Sequence, residues 1–273
     1  MQPTPIAQAA ALIQQADGML IGAGAGMGVD SGLPDFRGTA GFWRAYPALQ
    51  QTGMAFTEIA NPAAFAHDPR LAWGFYGHRL ALYRRTVPHA GFALLRHWAA
   101  SMPLGARVFT SNVDGQFQAA SFAPAHVTEC HGSIHHLQCT VPCSPHVWPA
   151  TDFQPDVDET RCQLRNALPT CPHCGALARP QILMFGDGAW VDGSGAAREH
   201  NLDQWLERAE RLVVVELGAG TAIPSVRQRS HHAMQQHHAR LIRINPREAH
   251  TPPGHVGMAM GALEGLSAIA ARL

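Results

Sequence analysis

Neither sign of charge is in excess in this chain, because 20 Lys plus Arg balance 20 Asp plus Glu. A balanced total supplies no long-range positive field to draw the protein to nucleic acid or to an anionic membrane. Nucleic acid is therefore not expected as a partner, and partners must be sought in a local site. Long apolar runs are missing as well. Stretches such as Leu212 to Val215 fall far short of a bilayer span, so no membrane association is expected. The amino-terminal MQPTPIAQAAALIQQADG lacks the basic segment that opens a secretory leader. A cytoplasmic protein is the expectation. Without a secretory signal, the six cysteines (Cys130, Cys139, Cys143, Cys162, Cys171 and Cys174) read as metal ligands or free thiols rather than disulfides. There is also no internal repeat, low-complexity tract or obvious flexible linker.

What is present is enough apolar material for a large core: 273 residues, 46% of them hydrophobic. Five short apolar runs have the length and bounds of buried parallel strands: Met19–Ala23, Arg107–Thr110, Gln181–Phe185, Leu212–Leu217 and Arg240–Asn245. Helix-like stretches lie between them, among them AAALIQQA, PHAGFALLRHWAA and NLDQWLERAE. This alternation predicts an α/β protein with a doubly wound parallel, Rossmann-like sheet and ligands at the carboxyl ends of its strands. Two segments break the alternation. Residues 45–85 read as an aromatic-rich helical insertion, and 135–178 hold five of the six cysteines among prolines and polar residues. The expected division is a nucleotide-binding domain from 1–44, 86–134 and 179–273, with 45–85 and 135–178 forming a smaller domain.

The first apolar run, GMLIGA, feeds a crowded turn, GAGMGVDSGLPDFRG, at residues 24–38. A strand, a glycine-rich turn and a helix present backbone N–H groups to a phosphate, and small residues let a pyrophosphate approach closely. That pattern favours a nucleotide. The dehydrogenase spacing G-x-G-x-x-G fails in both registers, since the third glycine would fall on Met27 or on Val29. A hydride-transfer unit is thereby disfavoured. Farther along, Cys139 and Cys143 form CTVPC, Cys171 and Cys174 form CPHC, and 27 residues separate the pairs. Four thiolates from two knuckles suit structural, tetrahedral zinc. The first pair is one residue wider than C-x-x-C, which leaves His136 or His146 as possible substitute ligands.

The turn also resembles the first signature of the sirtuins, the Sir2 family of NAD-dependent protein deacylases. The resemblance continues in chain order through TSNVDGQ at 110–116, ECHGS at 129–133, ARPQILMFGD at 178–187, ELGAGTAIP at 216–224 and IRIN at 242–245. It implies an enzyme that consumes NAD as a co-substrate in an acyl transfer. The lysine amide oxygen attacks the nicotinamide ribose, nicotinamide leaves, and a ribose hydroxyl takes the acyl group. By the same resemblance Asn112 is a catalytic residue that holds the nicotinamide ribose, Asp114 holds the carboxamide, and His131 is the general base, a role suited to an imidazole at neutral pH. Gly24, Ala25, Gly26, Asp35, Ser111, Gly218, Ala219, Gly220 and Asn245 are implied as NAD contacts. Phe36 and Arg37 cover the nicotinamide side and bracket the phosphates, with Leu33 and Pro34 lining the same pocket.

Substrate is implied in two places. The stretch NPAAFAHDPRLAWGFYGHR resembles the acyl-pocket helix of class III sirtuins and carries Tyr76 and Arg79 on one helical face. A phenol and a guanidinium there can bind the terminal carboxylate of a succinyl, malonyl or glutaryl chain. An acylated protein lysine is expected to enter as an extended strand beside Phe185 and Gly186, reading backbone more than sequence. Three departures stand out: Gly28 and Ser111 replace a serine and a glutamine of the family pattern, and Gly218-Ala219-Gly220 replaces its G-T-S loop. Two other functions use the same residues: protein mono-ADP-ribosylation, and NAD binding with little turnover.

Overall fold

The computed structural model describes residues 3–34 and 38–273, with side chains left undescribed at 38–41. Asp35, Phe36 and Arg37 lie outside the described residues. Strand β1 (Gly18–Ala23) is followed by β2 (Ala106–Thr110), β3 (Val127–Glu129), β4 (Gly132–Cys139), β5 (Val147–Pro149), β6 (Val157–Asp158), β7 (Gln163–Leu164), β8 (Ala178–Ile182), β9 (Leu212–Leu217), β10 (Arg240–Ile244) and β11 (Val256–Met258). Six of these form one parallel sheet in the order β11-β10-β9-β1-β2-β3. The chain runs outward from β1 through β2 to β3 and then returns to β9 on the other side of β1. Strand order therefore reverses between β1 and β9, which is where an open α/β sheet binds its ligand.

Parallel strands covered on both faces read as near-continuous apolar runs, and β1 shows why GMLIGA carries no alternation. Met19, Ile21 and Ala23 enter one core, whereas Leu20 enters the opposite one. Val213 and Val215 divide from Val214 in the same way on β9. The first face is closed by α1 (Pro5–Gln15), α7 (Ala90–Ala100) and α11 (Ala262–Ala270), the second by α9 (Gly195–Leu206) and α10 (Ser225–Gln236). Helix α1 starts where Thr4 accepts a hydrogen bond from the Ala7 N–H, with Pro5 as the first helical residue.

A third core unites α2 (Gly38–Ala45), α3 (Pro47–Gln51), α4 (Phe56–Ile59), α5 (Pro62–His67) and α6 (Pro69–Arg85) with the cysteine-rich segment. Between α7 and the remaining helices stands one short turn, α8 (Gln116–Ala119). Helix α6 is the axis of this core. Asp68 caps it by accepting from the Leu71 N–H at 2.9 Å, and Trp73 donates through its indole to the Ala178 carbonyl at 2.9 Å. Gly74 lies so close to Cys162 that a Cβ would sit 2.0 Å from the Cys162 carbonyl oxygen. Cys162 is thus a packing residue of this core.

One expected strand is placed differently. Gln181–Phe185 does not join the parallel sheet; its beginning belongs to β8, which pairs antiparallel with β4 beside β5, and the segment after Ile182 is irregular. The run is apolar because it packs against the third core, through Ile182 and Met184. The parallel sheet is completed instead by β3 and β11, both too short to stand out as apolar runs. Among the described residues no helix is long and apolar enough to cross a membrane.

Candidate functional site

The glycine turn after β1 meets the turn after β9 at the reversal of strand order. Gly24 donates to the Leu217 carbonyl at 3.0 Å and Gly26 to the Gly218 carbonyl at 3.1 Å. A Cβ on Gly24 would stand 2.7 Å from Ala219 Cα, and one on Gly218, whose φ is +59°, would stand 2.4 Å from Gly26 backbone atoms. Only glycine permits this approach. Gly26 and Gly218 thereby build the floor, while Gly24, Ala25, Ala219 and Gly220 line a cavity of about 970 Å³. Asn245 lies beneath: fully buried, it donates to the Ala219 carbonyl at 2.9 Å and accepts the N–H groups of Arg247 and Glu248, both at 3.0 Å. Its side chain is spent on holding the loop.

The same cavity is lined by Ser111, Asn112, Asp114 and His131. Thr110 sets the turn after β2, since its hydroxyl donates to the Ala23 carbonyl at 2.9 Å and accepts the Asn112 N–H at 3.0 Å. Asn112 Nδ2 then donates to the Gly24 carbonyl at 3.0 Å, tying this turn to the glycine turn. Asp114 is buried and accepts from the Gln116 N–H at 2.9 Å. Burial pushes its carboxyl up to about 6 despite that bond and the nearby Arg79. Glu129, ending β3, is raised by burial to about 7, with Arg198 of α9 opposing at 3.8 Å. His131 follows; burial lowers its pKa below the usual value, against a hydrogen bond to the Ser111 carbonyl. Its Nε2 faces Ser225 Oγ at 3.1 Å. A neutral, partly enclosed imidazole beside a hydrogen-bonding asparagine and a buried carboxyl can accept a proton from a bound hydroxyl.

At the other end of the cavity stand Tyr76 and Arg79, which α6 brings to one face as their spacing predicts. Both are buried. Arg79 lies over the rings of Phe75, Tyr76 and Tyr83 at 5.2, 5.6 and 5.4 Å and donates to Tyr83 Oη. Tyr83 also lines the cavity and was not singled out from the sequence, although its place four residues after Arg79 carries that signal. Phe185 lines the opening with Phe56, the two rings meeting edge to face at 5.9 Å; Gly186, with φ of +67°, turns the chain just outside. This turn is clamped by a buried ion pair between Arg179 and Asp187 at 2.8 Å. That pair gives the ends of ARPQILMFGD a structural task that its spacing alone did not reveal.

Away from the cavity, the Sγ atoms of Cys139, Cys143, Cys171 and Cys174 all lie within 4.8 Å of one another. Two of the separations, Cys139–Cys174 and Cys143–Cys171, are 3.6 Å. Sulfurs about 2.3 Å from a tetrahedral zinc stand roughly 3.8 Å apart, so these four residues fit zinc with no position left for substrate. The histidines are not needed: His146 stacks on Trp148 at 5.6 Å instead. Cys130 is outside the cluster.

The Sir2 family profile matches residues 24–216. A protein of Pyrococcus furiosus named NAD-dependent protein deacylase is 35% identical over 164 residues, which span 60% of this chain and 59% of that protein. A protein of the same name from Aquifex aeolicus is 29% identical over 225 residues, 82% of either chain. In fold, a Sir2 homologue solved as its NAD complex superposes with a TM-score of 0.74 at 23% identity, covering 97% of this chain and 93% of that one. With the profile running from the glycine turn into β9 and most of the cavity lined by residues it spans, this chain belongs to the Sir2 family.

Proposed function

We propose that this chain is an NAD-dependent protein lysine deacylase with structural zinc. The observation that carries the reading is the convergence of Asn112, Asp114 and His131 on one cavity floored by the paired glycine turns. NAD, bound there, supplies an electrophilic ribose carbon with nicotinamide as its leaving group. Gly24, Ala25, Ala219 and Gly220 offer small-residue walls that would let its phosphates approach the two turns closely. Asn112 orients the nicotinamide ribose, Asp114 holds the carboxamide, and His131 takes the proton of the ribose hydroxyl that accepts the acyl group. The four cysteines keep the β4–β8 sheet and its neighbouring loops in register and take no part in the chemistry.

The acyl chain extends between Phe56 and Phe185 toward Tyr76 and Arg79, where a carboxylate at its end meets a buried guanidinium. Succinyl-, malonyl- or glutaryl-lysine is thus favoured over acetyl-lysine. The peptide lies extended along 183–187. The N–H groups of Leu183 and Phe185 already donate to the carbonyls of His131 and Ala60, both at 2.9 Å, which fixes that segment as a platform.

The test is to incubate acetyl- and succinyl-lysine peptides with NAD and follow peptide, nicotinamide and O-acyl-ADP-ribose by mass, with His131→Ala as control. All 20 basic residues of this chain are arginine, so the enzyme adds no acyl-lysine of its own to the assay. Equal rates for wild type and His131→Ala refute the catalytic assignment. Transfer of ADP-ribose to a protein partner, with acyl-lysine untouched, replaces deacylation by ADP-ribosylation.

A further inference from the structure

Ser225 opens α10 and reaches His131 across 94 positions of sequence, with Oγ 3.1 Å from Nε2. A ring that serves as a base through Nε2 carries its proton on the other nitrogen, and in that neutral tautomer the Nε2 lone pair accepts the Ser225 O–H. When His131 acts as a base, Nε2 becomes an N–H donor. The hydroxyl is the one kind of side-chain group that suits both states, since a rotation about its C–O bond converts it from donor to acceptor.

The surroundings make this service necessary. His131 is half-buried, and it sits at the start of the 12-residue helix α10, whose positive end disfavours an imidazolium. The ionisable groups on the neighbouring elements are Glu129, engaged with Arg198 of α9, Asp114 after β2, Cys130, and Arg227 of α10, paired with Glu248 at 3.0 Å. The carboxyls of Glu129 and Asp114 are both pushed toward their neutral forms by burial. Compensation for the charge that forms on the ring must come from a neutral acceptor at Nε2.

Resting on the deacylase reading, we propose that Ser225 is a positioning residue for the acyl-transfer step: it holds the ring with Nε2 available as the base and accepts from Nε2–H once the proton arrives. In that step the ribose O–H bond breaks, its proton goes to Nε2, the electron pair left on oxygen forms the bond to the acyl carbon, and the carbon–nitrogen π pair at that carbon moves onto the lysine nitrogen, which leaves as the free amine when the tetrahedral centre collapses. Ser225 keeps its own proton throughout. It changes from donor to acceptor, sharing the new N–H with the ribose oxygen. Nicotinamide departure precedes this step and does not draw on Ser225.

Three readouts on the full-length protein test the assignment: acyl transfer to NAD, peptide-dependent exchange of labelled nicotinamide into NAD, and the NMR titration of the His131 ring without ligands. Ser225→Ala is expected to slow acyl transfer about tenfold, about 1.4 kcal/mol, to leave nicotinamide exchange within about twofold, and to move the His131 titration to lower pH. Ser225→Thr, which keeps the hydroxyl, is expected to restore all three. Wild-type acyl transfer and titration in Ser225→Ala overturn the proposal, as does an equal fall in transfer and exchange. If the wild type shows neither reaction, the deacylase reading has failed, and the titration alone decides: an unmoved ring shows that Ser225 does not set it.

Discussion

Arg79 and Tyr83 stand one turn apart on α6, and two nitrogens of the guanidinium, Nε and Nη2, donate to the same phenolic oxygen at 3.0 and 2.9 Å. A forked bond to one atom removes the side-chain freedom an arginine ordinarily keeps, so the cation is held in a fixed plane at the end of the cavity. Tyr83→Phe preserves the ring and deletes the acceptor. The expected result is a KM for succinyl-lysine peptide raised about tenfold with the acetyl-lysine KM nearly unchanged, and a stability loss of about 1–2 kcal/mol. Steady-state kinetics on both peptides, with thermal unfolding alongside, check it. Arg79→Met should erase the difference between the peptides altogether.

Asp114 links stability to pH in the direction opposite to a salt-bridged carboxylate. Its folded pKa of about 6 lies above the ordinary 3.8, with burial as the main cause. The folded state therefore favours the neutral acid, and the stability this provides is complete below about pH 3.8 and lost as pH rises through 6. Asp114→Asn keeps an oxygen to accept the Gln116 N–H and carries no charge to desolvate. Its unfolding temperature should match wild type near pH 4 and exceed it above pH 7, by the equivalent of about 2–3 kcal/mol at most, while NAD-dependent turnover falls about tenfold or more. Calorimetry from pH 4 to 8 decides; a gap that is constant with pH removes Asp114 ionisation as its source.

Much of this was legible in local pattern. Strand β1 could be read because a doubly covered parallel strand is a near-continuous apolar run, and Cys171 and Cys174 could be read because two thiolates on one knuckle need a fixed short spacing. Gln181–Phe185 misled because apolar length is the same whether a strand belongs to a parallel sheet or lines the base of a small antiparallel one; Gln181 and Ile182 pair with Ser133 and Gly132 of β4, about 50 residues earlier. Ser225 carried no local signal at all. Its meaning depends on α10 starting beside His131, a relation made only when β9 returns next to β1. Arg179 and Asp187 both fall within ARPQILMFGD, yet their pairing inside the protein, where neither side chain is more than 1% exposed, is a tertiary fact.

The four-cysteine cluster should behave as a staple and not as chemistry. Chelation at high affinity is expected to release zinc and lower the unfolding temperature, and Cys171→Ser should do the same through loss of a ligand. Cys162 provides the internal control, because it packs in the third core away from the four sulfurs. Cys162→Ser should retain its zinc while losing some packing energy. Metal content by mass spectrometry, read beside thermal unfolding, separates the two variants; equal zinc loss in both would remove Cys171 from the ligand set.

Gly218 and Gly220 flank Ala219 in the loop after β9 and make opposite demands on a side chain. At Gly218 the backbone is left-handed, with φ of +59°, and a Cβ would meet Gly26 at 2.4 Å. At Gly220 a Cβ meets nothing within 4 Å. Gly218→Ala must therefore bear about 1 kcal/mol of backbone strain and also force apart two turns that have no flexible side chain to yield. The expected outcome is a loss of about 2–4 kcal/mol in stability and an NAD KM raised at least about tenfold, because the floor of the cavity is the junction being opened. Gly220→Ala should stay within about 0.5 kcal/mol of wild type, so any rise in its NAD KM reports contact with the nucleotide and not distortion of the loop. Unfolding curves together with NAD titrations of the two variants distinguish them, and a Gly218→Ala protein with wild-type affinity would mean that the paired glycine turns do not form the nucleotide floor.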